Sequence, residues 1–187
     1  MNPTAHEILL NPQPSGHIVY PYTDDSQIAD AVSLFAGAGL RKGEAVLLVV
    51  SALHLEPIKA RLEQEGLNLA ALEESGQLVY REAESLLATF MFDGIIDNLR
   101  FKTTIGALIE EAKAGDGEGS VRPVRVFGEM VDLIWMSYPN ATQRLEELWN
   151  EVIGTHSVPL LCAYSLAGSR PDALPASLLS CHSHTLA

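Results

Sequence analysis

The sequence predicts an α/β fold: a three-layer sandwich with a mostly parallel central sheet. Two observations carry this. Short, β-rich apolar runs alternate with helical patterns along the chain, the order that a parallel sheet covered by helices requires. One of those runs, Ala45-Val46-Leu47-Leu48-Val49-Val50, is apolar at every position, as a strand buried on both faces must be. Right-handed crossovers then gather the strand C-termini along one edge, where open α/β sheets bind ligands.

Taken in order, residues 1–15 read as a flexible N-terminal leader punctuated by Pro3, Asn11, Pro12 and Pro14, and residues 16–187 as a single domain. His17-Ile18-Val19-Tyr20 is a short strand candidate. Asp24-Asp25-Ser26 supplies helix-capping oxygens, Ile28, Ala31, Val32 and Phe35 follow at helical spacing, and Gly37 and Gly39 are expected to end that helix. Ala45 to Val50 is the clearest strand. A helix from about Leu55 to Glu65 carries Pro57 in its first turn and Gly66 at its end. Gln77 to Tyr80 is a further strand. Ile95, Leu99, Ile105, Leu108, Ile109 and Ala112 mark the buried face of a long helical stretch. Ala114 to Ser120 is a glycine-rich, acidic loop. Val124 to Phe127 is a strand, Leu145, Leu148, Trp149, Val152 and Ile153 define an amphipathic helix, and Val158 to Tyr164 is the last strand. Pro175 to Cys181 is a short helix, and His184 lies in a frayed tail.

Composition narrows the function classes. The chain has 187 residues, 47% of them hydrophobic, enough for one substantial core. Twelve Lys and Arg face 24 Asp and Glu, giving a formal charge of −12. No basic stripe is present, so direct nucleic-acid contact and attraction to anionic lipid are not expected. No apolar run reaches membrane-spanning length and no signal-peptide core is visible. Cys162 and Cys181 form no CxxC pair, which fits reduced thiols in the cytoplasm.

The catalytic motifs are missing. Gly37 to Glu44 is glycine-rich and holds Lys42, but it lies between a helix and a strand and no Ser or Thr follows the lysine, so it is a turn and not a phosphate loop. There is no GxSxG elbow. The pairs Glu73-Glu74, Glu110-Glu111 and Glu146-Glu147 read as solvated helix faces. His17, Cys162 and His182 carry no metal-ligand spacing, so no metal is expected. Four other features lie near the predicted ligand edge: Arg125 and Glu129 around Gly128, Cys162 with Tyr164 on one strand face, His17 and Tyr20 flanking the first strand, and His182 near the C-terminus.

These elements, in this order, resemble the MEDS sensory domain, the input domain of regulators of the dichloromethane-responsive type. The resemblance runs from His17-Ile18-Val19-Tyr20 through Gly39-Leu40-Arg41-Lys42-Gly43-Glu44, Gly76-Gln77-Leu78, Phe92-Asp93, Arg125 to Met130 and Leu161-Cys162-Ala163-Tyr164 to Leu178-Leu179 and His182. It covers about residues 16–186. It implies a role in prokaryotic signal transduction, with sensing of simple hydrocarbon derivatives, and a core similar to RecA and KaiC that lacks the phosphate loop. The family's domain usually accompanies a DNA-binding or kinase module.

The expectation is therefore a sensor with no catalytic residues and no cofactor. Its small ligand is held by His17, Tyr20, Arg125, Glu129, Cys162, Tyr164 and His182, and a signalling partner protein, a kinase or regulator, receives the response. Ala114 to Ser120 and Phe90 to Asp93 are the expected moving parts. The alternatives are a ligand-free protein-interaction module derived from a degenerate RecA/KaiC-like ATPase, and a small hydrolase or nucleotide-using enzyme.

Overall fold

The computed structural model describes residues 3–115, 121–167 and 174–186. The chain runs α1 (Ala5–Leu10), β1 (His17–Tyr22), α2 (Asp25–Arg41), β2 (Ala45–Val50), α3 (Ala52–Gln64), α4 (Leu69–Glu74), β3 (Leu78–Glu82), α5 (Ala83–Leu87), β4 (Met91–Phe92), β5 (Ile95–Ile96), α6 (Asn98–Ala114), β6 (Val124–Gly128), α7 (Pro139–His156), β7 (Leu160–Ser165), α8 (Ala176–Leu179) and β8 (His184–Thr185). Six strands form one parallel sheet in the order β3-β2-β6-β7-β1-β8, and β4 and β5 form a separate antiparallel hairpin.

Strand parity sorts the core into two layers. Val19, Leu47, Val49, Val126, Cys162 and Tyr164 face α6 and α7, while Ile18, Tyr22, Val46, Leu48, Phe127 and Leu161 face α2 and α3. All six residues of β2 are buried, as its unbroken apolar run requires. Each fully buried aliphatic side chain stabilises this sandwich by about 1.5–3 kcal/mol.

Several local expectations are corrected. The leader is not loose over Ala5–Leu10. Thr4 and Glu7 form a reciprocal cap, and Leu9 is buried against α2. Gly37 and Gly39 do not end α2. They are packing positions: a Cβ on Gly39 would lie 2.8 Å from Cδ and Nε of Arg125. The chain turns instead at Gly43, whose φ of 78° only glycine adopts readily. Pro57 lies inside α3 and not in its first turn, because Ser51 starts that helix earlier. Ile95 and Leu99 are exposed, since a hairpin precedes α6 and sets its phase. His184 is not in a frayed tail: it pairs with Ile18 of β1. Of the expected loop at Ala114 to Ser120, residues 116–120 lie outside the described residues.

Candidate functional site

The seven expected ligand residues divide into three places. His17, Cys162, Tyr164 and His182 meet on the α7 face of the sheet. Their parity explains it: His17 shares a face with Val19, and Cys162 and Tyr164 alternate with Leu161 and Ala163. Tyr20 is three residues from His17, so it points the other way, and its hydroxyl lies 3.4 Å from the Gln27 carbonyl.

Arg125 also faces away, toward the start of the sheet. Its guanidinium pairs with Glu44 and donates to the carbonyls of Leu9 and Phe35, both at 3.1 Å, and of Leu10 at 3.2 Å. It pins α1 to α2 and β6. Gly128 packs against Trp149 and Leu160.

Glu129 ends up at the C-terminal edge of the sheet. One carboxylate oxygen accepts the Ser51 N–H at 2.7 Å, and the other pairs with His54 Nδ1. His54 Nε2 lies 3.3 Å from Asp25, and the ring packs edge-on against Tyr22 at 5.8 Å. Burial works against a charged His54, but its bonds to Glu129 and Asp25 outweigh that and hold its pKa above the ordinary value. Beside it, Asp132 accepts from Tyr22 at 3.1 Å and from the Ser165 N–H at 2.6 Å. Burial pushes the Asp132 carboxyl up despite those two bonds.

The centre beneath α7 contains Glu146, which the sequence pattern alone marks as half of a solvated acidic pair. Glu146 is fully buried, whereas its neighbour Glu147 is exposed. The signal was present in the helical phase: Thr142, Glu146, Trp149 and Ile153 fall on one stripe, and the other three are buried. His17 Nε2 stands 3.2 Å from Glu146 Oε2 and 3.3 Å from Cys162 Sγ. His182 Nε2 stands 3.4 Å from Glu146 Oε1, to which the Tyr164 hydroxyl also donates. Burial opposes ionisation of Glu146, yet its interactions with the His17 and His182 imidazoles pull its pKa down to about 2. Burial, reinforced by the Glu146 charge, pushes the Cys162 thiol well up, which keeps it in its poorly nucleophilic form.

The C-terminal segment closes over this centre. The Cys181 carbonyl lies 3.1 Å from His17 Nδ1 and accepts from Asn150 Nδ2 at 3.0 Å. Ser183 exchanges bonds with the His17 backbone, and β8 adds to β1. The His17 and His182 rings lie against each other, tilted by 44°, with centroids 4.1 Å apart. The predicted single pocket at the strand C-termini is therefore not formed. Four of its residues lie on a sheet face, one lies at the edge, and two point into the opposite layer.

A separate apolar groove of about 450 Å³ lies between α5, the β4–β5 hairpin and the segment after β6, lined by Leu87, Met91, Asp93, Leu133, Ile134 and Tyr138 among others. No helix among the described residues is long and apolar enough to cross a membrane.

Comparison with known proteins agrees with this architecture. A KaiC-like protein from the hyperthermophilic archaeon Pyrococcus horikoshii OT3 superposes with a TM-score of 0.57 at 12% identity, over 84% of this chain and 65% of that one. At that identity the likeness shows the fold alone, a RecA/KaiC-like core, and the chain spans about two thirds of that protein's length. No match was found among curated proteins. The family model described as MEthanogen/methylotroph, DcmR Sensory domain matches residues 16–183, so the chain belongs to the MEDS family.

Proposed function

We propose that this chain is a cytoplasmic, non-enzymatic sensory domain of a prokaryotic signalling pathway. It takes up a small organic ligand, a simple hydrocarbon derivative, at the centre formed by His17, Glu146, Cys162, Tyr164 and His182. One observation carries the reading: these five polar side chains converge in the buried core under a short C-terminal segment that is itself fastened to them. A ligand that separates these groups shifts the population toward a state with that segment released, provided it binds the released state better. A partner protein, a kinase or regulator, reads the difference.

Trp135 offers a readout, since its ring packs edge-on against Tyr164 at 6.1 Å. Titrating the chain with dichloromethane, methanol and methylamine is expected to give a saturable change in tryptophan fluorescence for at least one of them. Tyr164→Ala should abolish that change. If no compound gives a saturable response and hydrogen exchange of residues 174–186 is unaltered, the sensor reading fails.

One feature favours the interaction module as a second reading. Phe92, Ile95, Leu99, Met136 and Tyr138 are exposed large apolar side chains around the hairpin and the start of α6. Pull-down of a partner with no dependence on any small molecule would support it over the sensor.

A further inference from the structure

We infer that His17, Glu146, Cys162 and His182 form a binding site for one divalent metal ion of the zinc class. The sequence predicts no metal, because His17, Cys162 and His182 carry no metal-ligand spacing and Glu146 reads as part of a solvated acidic pair. The fold brings one ligand atom from each within 4.8 Å of all the others.

The separations suit coordination better than hydrogen bonding. A charge-assisted N–H···O bond has a heavy-atom distance of about 2.7–2.9 Å. The contacts of His17 Nε2 with Glu146 Oε2 and of His182 Nε2 with Glu146 Oε1 are longer, 3.2 and 3.4 Å, while His17 Nε2 to Cys162 Sγ, at 3.3 Å, suits a bond to sulfur or a shared ion equally. Ligands about 2.0–2.3 Å from a tetrahedral ion stand about 3.3–3.6 Å from one another. Cys162 Sγ to Glu146 Oε2, at 4.0 Å, is wider than that range.

The outer contacts fit as well. Each imidazole has Nδ1 tied to a backbone carbonyl, His182 to Leu178 at 2.8 Å and His17 to Cys181 at 3.1 Å, with Asn150 Oδ1 also 3.1 Å from His17. That fixes the tautomers with Nε2 turned inward, the usual arrangement of metal-bound histidines. The His182 side chain is fully buried, and its Nε2, 3.4 Å from Glu146 Oε1, makes no well-formed hydrogen bond. A thiolate, an imidazole pair and a carboxylate also match the ligand preferences of zinc over those of calcium or magnesium. Binding displaces the Cys162 thiol proton to solvent, and the thiolate, carboxylate and dication then sum to zero charge in the apolar interior.

The ion would fasten His182, and with it the C-terminal segment, to β1, β7 and α7. This concerns the centre on which the sensor reading rests, but its test uses no organic ligand, so either can fail alone. The full-length, tag-free chain is dialysed against zinc and then against metal-free buffer, and its metal is measured by elemental mass spectrometry. About one zinc per chain is expected. Cobalt substitution should give the visible bands of a tetrahedral ion and a near-ultraviolet thiolate band. Cys162→Ser, if folded, should lose the thiolate band. Chelation should accelerate amide exchange over residues 178–186 by about tenfold or more. If Cys162→Ser does not fold, His182→Gln replaces it, with an expected zinc affinity at least about tenfold lower. Less than about a tenth of an ion per folded wild-type chain overturns the inference, as does undiminished zinc in a folded Cys162→Ser, His182→Gln double variant.

Discussion

Replacing Arg125 with Met tests whether this residue supports the fold or a ligand. Its side chain is 3% exposed and that of its partner Glu44 is 20% exposed. Removing one partner of a buried ion pair costs about 3–5 kcal/mol, because the other charge is stranded. Three features place Arg125→Met at the low end. Glu44 retains some water, the Leu10 carbonyl keeps Lys42 Nζ at 2.9 Å, and the Phe35 carbonyl lies within α2. The Leu9 carbonyl loses its side-chain donor. The expected loss is about 3 kcal/mol, which lowers the urea midpoint by about 1.5 M for a slope near 2 kcal/mol per M. Adding Glu44→Gln should then cost little more, leaving about 2 kcal/mol of coupling in a double-mutant cycle. Amide exchange should rise first in α1, which Arg125 ties down. A midpoint shift below about 0.3 M at unchanged slope would refute this account, and an abolished ligand response in stable, folded Arg125→Met would restore Arg125 to the binding site.

Three further outcomes follow from the same geometry. Gly39→Ala, normally worth about 1 kcal/mol of helix stability, should instead destabilise by about 1–3 kcal/mol in thermal unfolding, since its Cβ meets Arg125 held in place by its bonds. Leu148→Ala, at a fully buried position, should cost about 2–5 kcal/mol by urea unfolding while leaving ligand response and zinc content of the folded fraction unchanged. Stability should fall as pH rises past 6.5: His54 is held above that value in the folded chain by Glu129 and Asp25, so its contribution is complete below 6.5 and lost as pH climbs through the folded value. His54→Phe should remove this dependence from the pH profile of the urea midpoint, and an unchanged profile would exclude His54 as its source.

The local patterns were legible wherever a single element carries its own signal. The unbroken apolar run of β2, the helical stripe of α7 and the shared face of Cys162 and Tyr164 follow from strand and helix periods alone. Where a neighbour sets the outcome, local signals misled. Gly37 and Gly39 look like a helix stop, but they are packing positions: Gly39 makes room for Arg125 of a distant strand, and Gly37 for Glu65, Arg41 and Leu62. Glu146 looks like half of a solvated acidic pair, but the phase of α7 buries it and exposes Glu147.

The sequence by itself determined the layer order, the parallel sheet, the missing phosphate loop and which side chains share a face within a strand. These depend on periodicity and turn chemistry, which are local. Only the tertiary structure decided which faces meet. Parity alone already sets Tyr20 on the face opposite His17, and Arg125 on the face opposite Val124 and Val126, but which helices cover each face is a tertiary outcome. His17, Glu146 and Cys162 come from β1, α7 and β7, and His182 from the segment between α8 and β8. Their meeting depends on strand order and on a C-terminal segment that folds back beside β1, neither of which any local pattern specifies.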